Sequence, residues 1–437
     1  MPSPAPEPLA SRPLSVWLVN PFDDIPGEGL PPLRYWTLAR VLAARGHDVI
    51  WWTATWSHRR KAIRSAPLGI RDDEGFAVRL VAVRPYEKNV SLARLGSHRD
   101  FGKTFERLAN ESISSGQLER PDIILASLPP LDGPEAAARL ATKLDATFVL
   151  DVMDVWPETF ERLVPGPAFL KRLIAPFLLG GMQKRRQALL ASADAVSAAT
   201  RTYADAVLRD TSAELPRHVC YVGAYPQEFP TPPRTMNHVP MQGDAGDTAP
   251  PESVALECVY AGTLEAGQDL DVLAGAARQL SAAGVKATIH VAGTGTFEQS
   301  LRRSAATLSG SCRLEVHGLL PRQAYVNLLA RCDVGLVCVK PESLVAVPYK
   351  ACDYAAAGLA IVSSLPGELQ GLIDEHGAGV AYTAGDAGSL ARAIAGFATD
   401  RSRLNACRQG ARQLAAAEFD RERTYPKFAD WLETVSE

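Results

Sequence analysis

The chain has 437 residues, 46% of them hydrophobic and 22% charged, and a formal net charge of −3. This length predicts two or three domains, because a domain averages roughly 150 residues. The composition excludes a disordered chain, a collagen and a small disulfide scaffold. A membrane span is not expected either, because it needs about 18 apolar residues and the most apolar helix-length stretch, 169–182, contains Lys171, Arg172 and Pro176.

Residues 1–13 are proline-rich and lack the apolar core of a signal peptide, so we expect a disordered tail. The seven cysteines are scattered from Cys220 to Cys407 without a C-x-x-C pair, which favours buried thiols in a reducing cytoplasm over disulfides or a zinc site. We therefore expect a cytoplasmic protein.

Charge is distributed unevenly along the chain. Residues 1–217 carry 28 basic and 25 acidic side chains, whereas residues 218–437 carry 18 and 24. Most of the basic excess lies in 59–103, with eleven basic and five acidic residues. This segment is either an ordinary solvated surface or a patch that attracts anionic lipid or a phosphate-bearing acceptor. We expect no nucleic-acid partner.

The first half alternates β-branched runs with helix-period segments, the pattern of a parallel sheet flanked by helices. A helix is predicted over 33–46, and strands are predicted at 15–20, 47–53, 77–83, 122–127, 147–152, 194–199 and 218–223. We assign residues 14–223 to one domain and the proline-rich, aperiodic residues 224–253 to a linker.

The alternation then begins again. Strands are predicted at 256–262, 285–293, 313–318, 333–339, 359–364 and 379–383, with helices over 270–284 and from 321, 348, 367, 386 and 402. We assign 254–415 to a second domain and 416–437 to a closing helix that crosses back to the first. The fold class is therefore α/β, with two Rossmann-like domains and a ligand cleft between the carboxyl ends of their sheets.

Three glycines follow predicted strands in the second half. Gly262 comes before Thr263 and Leu264, and Gly293 and Gly295 follow the next strand. Glycine allows a close approach of backbone to a ligand, and amides at a helix start bind phosphate. Ordinary turn geometry is the alternative at each position.

Lys350 and Asp353 are three residues apart in a predicted helix and therefore share a face. Asp353 could accept both hydroxyls of a ribose while Lys350 offsets phosphate charge. A surface ion pair is the alternative.

Several segments of the sequence resemble those of a known family. The segment VPYKACDYAAAGLAIVSS (347–364) is similar to the donor-domain helix of nucleotide-sugar glycosyltransferases of family 4, which have the GT-B fold of two Rossmann-like domains. LDVMDVWPETF (150–160) and WTATWSH (52–58) resemble a branch that acts on O-antigen, capsule and exopolysaccharide. The resemblance covers nearly the whole chain.

The resemblance implies roles for particular residues. Asp353 would bind the donor ribose as the second carboxylate of the family's Glu-x7-Glu pair, Gly262, Thr263 and Leu264 would lie against the diphosphate, and Gly293 and Gly295 near the nucleotide. Two family features are missing, however. Val345 replaces the first glutamate, with Glu342 off register, and Thr263 and Gln268 replace the family's basic pair.

A departing diphosphate needs its growing negative charge stabilised. Lys350 is our candidate for the missing cation, with Arg322 and Lys340 as weaker ones. The backbone amides of four consecutive residues would assist Lys350; they belong to Leu344, Val345, Ala346 and Val347.

The first domain is expected to hold the acceptor. Gly29 would let its loop approach the diphosphate, and Arg34 would bind that group or an acceptor phosphate; a solvated helix residue is the alternative for Arg34. Asp154 and Glu158 would bind sugar hydroxyls or orient the attacking one, with Trp156 stacking on a sugar, unless this segment is only a structural turn. His58 could contact substrate, although a lone histidine is more often structural.

The expected reaction is a retaining transfer from a nucleoside-diphosphate sugar, with UDP as the favoured nucleotide, to a glycan or polyprenyl-diphosphate-linked acceptor in bacterial surface-polysaccharide synthesis. The family resemblance implies no metal and no other cofactor. Segment 169–186 either rests on the anionic inner face of the plasma membrane or is a buried helix. A sugar-nucleotide epimerase and a non-catalytic binding protein remain as alternatives.

Overall fold

The computed structural model describes residues 12–28, 32–64, 70–71, 75–163, 168–209, 211, 214–230 and 255–436. The predicted tail up to residue 11, Gly29 and the part of the predicted linker from 231 to 253 lie outside these residues.

The described chain forms two compact units. The first comprises Met1–Val222 with Glu422–Glu437, and the second comprises Gly223–Arg421. The first boundary lies one residue from the predicted domain end. Residues 224–230, predicted as linker, are tied into the second unit, where Ala224 pairs with Asp420 in an isolated bridge.

Sixteen strands are present in the described residues. In the first unit they are β1 Ser15–Val19, β2 Asp48–Ala54, β3 Trp56–Ser57, β4 Ala62–Ile63, β5 Ile70–Arg71, β6 Ala77–Val81, β7 Ile123–Leu128, β8 Thr147–Val152, β9 Ala195–Ala198 and β10 Arg217–Val219. In the second unit they are β11 Leu256–Ala261, β12 Ala287–Ala292, β13 Cys312–Gly318, β14 Val334–Val337, β15 Ala360–Ser363 and β16 Gly379–Ala381.

Thirteen α-helices are present in the described residues. They are α1 Arg34–Ala44, α2 Leu92–Ser114, α3 Asp132–Leu144, α4 Ala168–Ala191, α5 Arg201–Leu208, α6 Asp271–Ala282, α7 Glu298–Thr307, α8 Arg322–Arg331, α9 Tyr349–Ala356, α10 Glu368–His376, α11 Ala387–Thr399, α12 Arg401–Leu414 and α13 Arg421–Val435. Short 3₁₀ turns occur at Glu158–Leu163 and Pro226–Glu228, and a π-helical turn at Ala415–Phe419. No described helix has the combination of length and apolar character that a bilayer-spanning helix needs.

Both units contain a doubly wound sheet. The eight-stranded sheet has the order β10-β9-β8-β7-β1-β2-β6-β5, and the six-stranded sheet has the order β13-β12-β11-β14-β15-β16. All neighbours are parallel except β5 and β6. Strand order reverses beside β1 and beside β11, and such switch points are where doubly wound folds bind ligands, outside the carboxyl ends of the strands. The two Rossmann-like domains predicted from the sequence are thereby confirmed.

Buried apolar side chains explain the central strands. All five residues of β1 are buried, as expected of a strand covered on both faces. In the first unit the core also receives α13, whose Tyr425 and Phe428 are fully buried and whose Trp431 packs against the same cluster. The aromatic side chains of this closing helix are therefore a packing surface of the first unit.

Candidate active site

The loops after β11 and β12 pack directly on each other in the second unit. Gly262 donates its N–H to the Ala292 carbonyl at 2.9 Å. A Cβ on Gly293 would collide with the Gly262 carbonyl oxygen, and a Cβ on Gly295 would collide with the Leu264 carbonyl oxygen. All three glycines have positive φ, between 142° and 154°. These contacts account for the glycines by loop packing, and their contact with a nucleotide stays a prediction.

Thr263 and Leu264 have different surroundings. Leu264 is fully buried, and its amide donates to the Thr294 carbonyl at 2.9 Å while its carbonyl accepts from the Phe297 amide at 3.0 Å. Its polar groups are thus used within the protein. The Thr263 side chain is exposed, and its carbonyl accepts a hydrogen bond from the Tyr260 hydroxyl at 3.0 Å.

Lys350 lies beside Gly262 at the carboxyl end of β11. Its Nζ is 3.9 Å from the centroid of the Tyr260 ring and 3.3 Å from Gln268 Oε1. A Cβ added to Gly262 would lie 2.9 Å from this Nζ, so a larger residue there would crowd the ammonium group. No carboxylate in the described part of the chain forms an ion pair with Lys350.

Burial lowers the pKa of Lys350 to about 7, because a charged amine loses hydration that the ring and the amide oxygen replace only in part. The protein thus holds an amine near its titration point, and none of the described carboxylates pairs with it. A phosphate oxygen would supply the missing negative charge and raise this pKa again. The contact of Lys350 with a diphosphate stays a prediction.

Asp353 is on the next turn of α9 and is already bonded. The Tyr325 hydroxyl donates to its Oδ2 at 3.0 Å, and Arg322 Nη1 lies 3.4 Å from the same oxygen. Burial raises the pKa of Asp353, whereas Arg322 and Tyr325 oppose that rise. Its side chain keeps 20% exposure, which leaves room for a hydroxyl donor.

Arg322 also donates through Nε to Glu228 Oε2 at 3.1 Å. Two carboxylates therefore balance its charge, which makes it a weaker diphosphate ligand than Lys350. The Lys340 side chain is partly buried.

Residues 344–346 precede α9. Leu344 is 43% exposed and Ala346 is buried, while the Val345 amide donates to Ser343 Oγ at 3.3 Å. Val345 supplies no carboxylate, and Glu342 is exposed. The predicted contacts of this segment with the donor stay predictions.

In the first unit, the structure contradicts the hypothesis that Arg34 binds a phosphate. Its side chain is 1% exposed and forms two parallel hydrogen bonds with Asp151, at 2.9 and 2.8 Å. It also donates to the Cys220 carbonyl and lies over the Phe428 ring. The apolar helix α1 turns its first residue into the core, where the buried carboxylate fixes it, so Arg34 is neither a solvated residue nor an available phosphate ligand.

The structure also contradicts the stacking role of Trp156, and it pairs Glu158 with a buried arginine. Both Glu158 oxygens accept from Arg186, at 2.6 and 2.8 Å, and Arg186 is only 2% exposed. Trp156 is 5% exposed, and its ring packs on Phe160 with 4.4 Å between centroids. The Trp156 ring is covered and is not free to stack on a sugar. The Glu158 carboxylate neutralises a buried arginine but keeps 28% exposure, so its contact with a sugar hydroxyl stays a prediction.

Asp154 shapes the backbone of the same segment. Its Oδ1 accepts from the Val155 amide at 2.8 Å and from Thr159 Oγ1 at 3.1 Å, which caps the 3₁₀ turn that follows. The side chain is half-buried. Its role in orienting an acceptor stays a prediction.

His58 belongs to a cluster that sequence analysis did not identify. Its Nδ1 lies 2.6 Å from the Tyr86 hydroxyl, and Lys61 Nζ is 3.5 Å away. Burial, Arg94 and Lys61 together lower the pKa of His58 to about 4, so the ring is neutral at pH 7. The cluster borders a small pocket that is lined by Phe22, Tyr86 and His98 among others.

Arg94 lies between aromatic rings in this cluster. Its guanidinium is 5.4 Å from the Phe22 centroid and 5.7 Å from that of Trp156, and it donates to His98 Nε2 at 3.3 Å. The i, i+4 spacing of Arg94 and His98 on α2 was a visible signal, but it did not show that His98 lines this pocket or that Arg94 lies between Phe22 and Trp156.

The basic segment 59–103 is partly neutralised within the first unit. Arg59 pairs with Asp24, Arg60 and Arg64 pair with Glu28, and Arg84 pairs with Asp100. A broad patch for anionic lipid therefore loses much of its charge, and the cations next to the pocket are Lys61 and Arg94.

Two family models match the chain. The model described as "Glycosyl transferase 4-like domain" covers residues 33–223, and the model described as "Glycosyl transferases group 1" covers residues 255–400. Together they span most of the sequence and divide it where the two units meet. No curated protein matches the chain.

Several solved structures share the fold at low identity. Sucrose-phosphate synthase from Thermosynechococcus elongatus is 14% identical with a TM-score of 0.68, over 97% of this chain and 99% of that one. HepE of Anabaena, solved in complex with UDP-glucose, is 13% identical with a TM-score of 0.62, over 96% and 100%. WaaG, described as a glycosyltransferase involved in lipopolysaccharide biosynthesis, is 15% identical with a TM-score of 0.58, over 95% and 98%.

The family models and the two doubly wound sheets agree with one another. The chain belongs to the group 1, family 4-like glycosyltransferases and has their GT-B fold.

Proposed function

We propose that this glycosyltransferase moves a sugar from a nucleoside-diphosphate sugar to a hydroxyl of a glycan or lipid-linked acceptor, with retention of anomeric configuration. The observation that carries the proposal is Lys350, an amine that burial holds near its titration point beside Gly262, with no acidic partner among the described residues. We favour UDP as the nucleotide, because a structural relative was solved with UDP-glucose.

In the proposed reaction, the bond from the anomeric carbon to the diphosphate oxygen breaks, and the diphosphate leaves with the electron pair. The acceptor oxygen forms the new bond on the same face of the sugar, and its proton passes to the departing phosphate oxygen. Lys350 would be protonated by then and would stabilise the charge that grows on the leaving group. We propose that this charge stabilisation needs no metal at the diphosphate.

Asp353 is the proposed ribose ligand. A half-buried carboxylate with one oxygen held by Tyr325 and Arg322 can accept hydroxyl hydrogen bonds through the other. The bonds from Tyr325 and Arg322 also fix the orientation of the side chain before the donor arrives.

The acceptor proposal rests on the cluster around Arg94 and Lys61. Burial lowers the pKa of Arg94, and burial with the neighbouring Arg94 lowers the pKa of Lys61, so both cations would gain from an anion. We propose that the acceptor carries a phosphate or another acidic group, and that it is a precursor of a bacterial surface polysaccharide. WaaG, a relative in fold, is described as acting in lipopolysaccharide biosynthesis.

A cytoplasmic reaction at the inner face of the membrane is part of this proposal. All seven cysteines are buried free thiols, which suits a reducing compartment. Helix α4, Ala168–Ala191, is the segment proposed to contact anionic lipid.

The first experiment is a thermal-shift screen of UDP, GDP and ADP and their glucose conjugates on the full chain and on Lys350→Met, with the exposed Lys286→Met as matched control. We expect UDP to raise the melting temperature of the wild type and the control but not of Lys350→Met. Equal shifts in all three proteins would contradict the role of Lys350, and no shift with any nucleotide would contradict the donor class.

A second experiment separates transfer from isomerisation. UDP-glucose is incubated with enzyme alone and followed by NMR, then again with lipid-linked oligosaccharide extracted from a Gram-negative bacterium. Transfer predicts an intact α-glucosyl donor without acceptor and an α-linked product with it. Formation of a sugar isomer in the first incubation would indicate an epimerase, and a β-linked product would contradict retention.

A further inference from the structure

Two histidines and two glutamates lie together on one face of the second sheet, and none of them belongs to the site around Lys350 on helix α9. Glu257 is on β11, His290 is on β12, and Glu315 and His317 are on β13, with His290 and Glu315 directly paired in register. Their neighbours along the strands, Ile289, Val291 and Leu314, face the hydrophobic core on the other side. The four polar groups therefore form a compact set that the core does not use.

The distances within this set are short. His290 Nδ1 is 3.0 Å from His317 Nε2 and 3.4 Å from Glu315 Oε2, and ligand atoms of these three residues all lie within 4.8 Å of one another. Zinc bonds of about 2.0–2.1 Å in a tetrahedron separate neighbouring ligand atoms by about 3.3 Å. Two of the three separations already match that spacing.

Glu257 determines which nitrogen of His290 can bind. Its Oε2 lies 2.8 Å from His290 Nε2, so that nitrogen carries the proton and Nδ1 presents a lone pair. His290 is 5% exposed, and its Nδ1 points at the His317 nitrogen and at a second carboxylate. A lone pair on Nδ1 that faces His317 Nε2 at 3.0 Å and a carboxylate oxygen at 3.4 Å can be satisfied by the N–H of His317 or by a cation bound between the three groups.

We propose that His290 Nδ1, His317 Nε2 and Glu315 bind one Zn²⁺ or a similar transition-metal ion, with Glu257 as the carboxylate that orients His290. Two imidazoles and a carboxylate suit zinc, and a carboxylate on the far nitrogen of a ligating histidine is a common second layer of such sites. Glu315 is 44% exposed, so its side chain can turn inward to complete the set while water takes the fourth position.

The ion would join the edge strand β13 to its neighbour β12. Nothing in the proposed transfer passes through it, and its expected effect is on the stability of the second unit. Arg331 and Arg302 lie near enough to influence His317, and Arg302 is paired with Glu298, so the surrounding positive charge is partly balanced.

The test is a titration of the chelator-stripped full-length protein with Co²⁺, followed by its visible absorption, and a competition with Zn²⁺. We expect one ion per chain with the strong absorption of tetrahedral cobalt, and a rise in melting temperature with Zn²⁺. Binding should be lost in His317→Ala and Glu315→Ala and weakened about 10- to 100-fold in Glu257→Gln. His376→Ala, which changes another histidine of the second unit, should bind like the wild type.

Absence of stoichiometric binding by the wild type would overturn the proposal. Undiminished binding in both His317→Ala and Glu315→Ala would do the same, as would a cobalt–thiolate band, because it would assign the ion to cysteine. Glu315→Ala keeps the test valid if His317→Ala fails to fold, since Glu315 is an exposed edge-strand residue.

Discussion

Lys350 in the second unit has surroundings opposite to those of Arg34 and Glu158 in the first unit. In the first unit, Arg34 and Glu158 each have a buried partner of opposite charge, Asp151 and Arg186 respectively. In the second unit, Lys350 has an aromatic ring and an amide oxygen but no described carboxylate. A charge at the carboxyl end of a parallel strand is therefore not by itself a ligand. The informative feature is a desolvated charge that the protein leaves unbalanced.

Among the substitutions that test this difference, we expect replacement of Arg34 to change stability the most. Replacing Arg34 with Met leaves Asp151 charged and buried, so we expect a loss of about 3–5 kcal/mol in the free energy of unfolding. Urea denaturation at pH 7 measures it. Asp151→Asn should cost a similar amount. A loss below about 1 kcal/mol, combined with weaker donor binding, would restore Arg34 as a ligand.

Glu158 should give a smaller loss of stability. In Glu158→Ala the buried Arg186 loses both charge-assisted bonds and keeps its bond to the Trp156 carbonyl, so we expect about 2–3 kcal/mol of destabilisation. Below its unfolding temperature the variant should retain its kcat. A large fall in kcat with unchanged stability would show instead that the carboxylate is catalytic.

We expect replacement of Lys350 to raise the free energy of unfolding instead of lowering it. Its pKa falls from 10.5 in the unfolded chain to about 7 in the folded protein, so the unfolded state binds more protons between these values. Burial of the charged amine thus costs most stability below pH 7, and the cost fades as pH rises toward 10.5. We expect Lys350→Met to be more stable than wild type by about 2 kcal/mol at pH 6, with a difference that narrows as pH increases.

Chemical denaturation of both proteins from pH 6 to pH 9.5 measures this difference, with Lys286→Met as the control. A variant less stable than wild type at pH 6 would mean that Lys350 has a protein counter-ion.

Asp353 should give the smallest effect. Asp353→Asn removes the charge that strengthens hydrogen bonds to the ribose, and we expect UDP to bind about 10-fold more weakly, or about 1.4 kcal/mol. Isothermal calorimetry measures the change. Binding of 2′,3′-dideoxy-UDP should be unaffected by the substitution, and an equal loss for both nucleotides would contradict a contact with ribose.

The fold was predictable because its signals are local and repeated. β-branched runs such as those of β1 and β11 alternate with amphipathic helices. This alternation can be recognised from the local sequence without knowledge of distant contacts. The sequence also placed Lys350 and Gly262 after the correct strands. It could not show that their atoms meet, because that contact joins residues almost ninety positions apart.

The same limit explains the corrections. Arg34 is 117 positions from Asp151 and Glu158 is 28 from Arg186, so neither partner could be assigned from spacing. Trp156 is covered by Phe160 and Arg94, and the second of these comes from a separate helix. Sequence analysis singled out His58 and the basic segment 59–103 separately, but it could not show that His58, Lys61 and Arg94 form one cluster, because Arg94 comes from a separate helix.

The most direct measurement of the central claim is the proton uptake that accompanies UDP binding at pH 8. Without UDP, the Lys350 amine is mostly neutral at this pH. It should become charged when the diphosphate binds, because an adjacent anion raises its pKa. Calorimetry in buffers of different ionisation enthalpy should therefore show uptake of about 0.9 proton per UDP in the wild type, and none in Lys350→Met. Binding of UDP to the wild type without proton uptake would contradict the account.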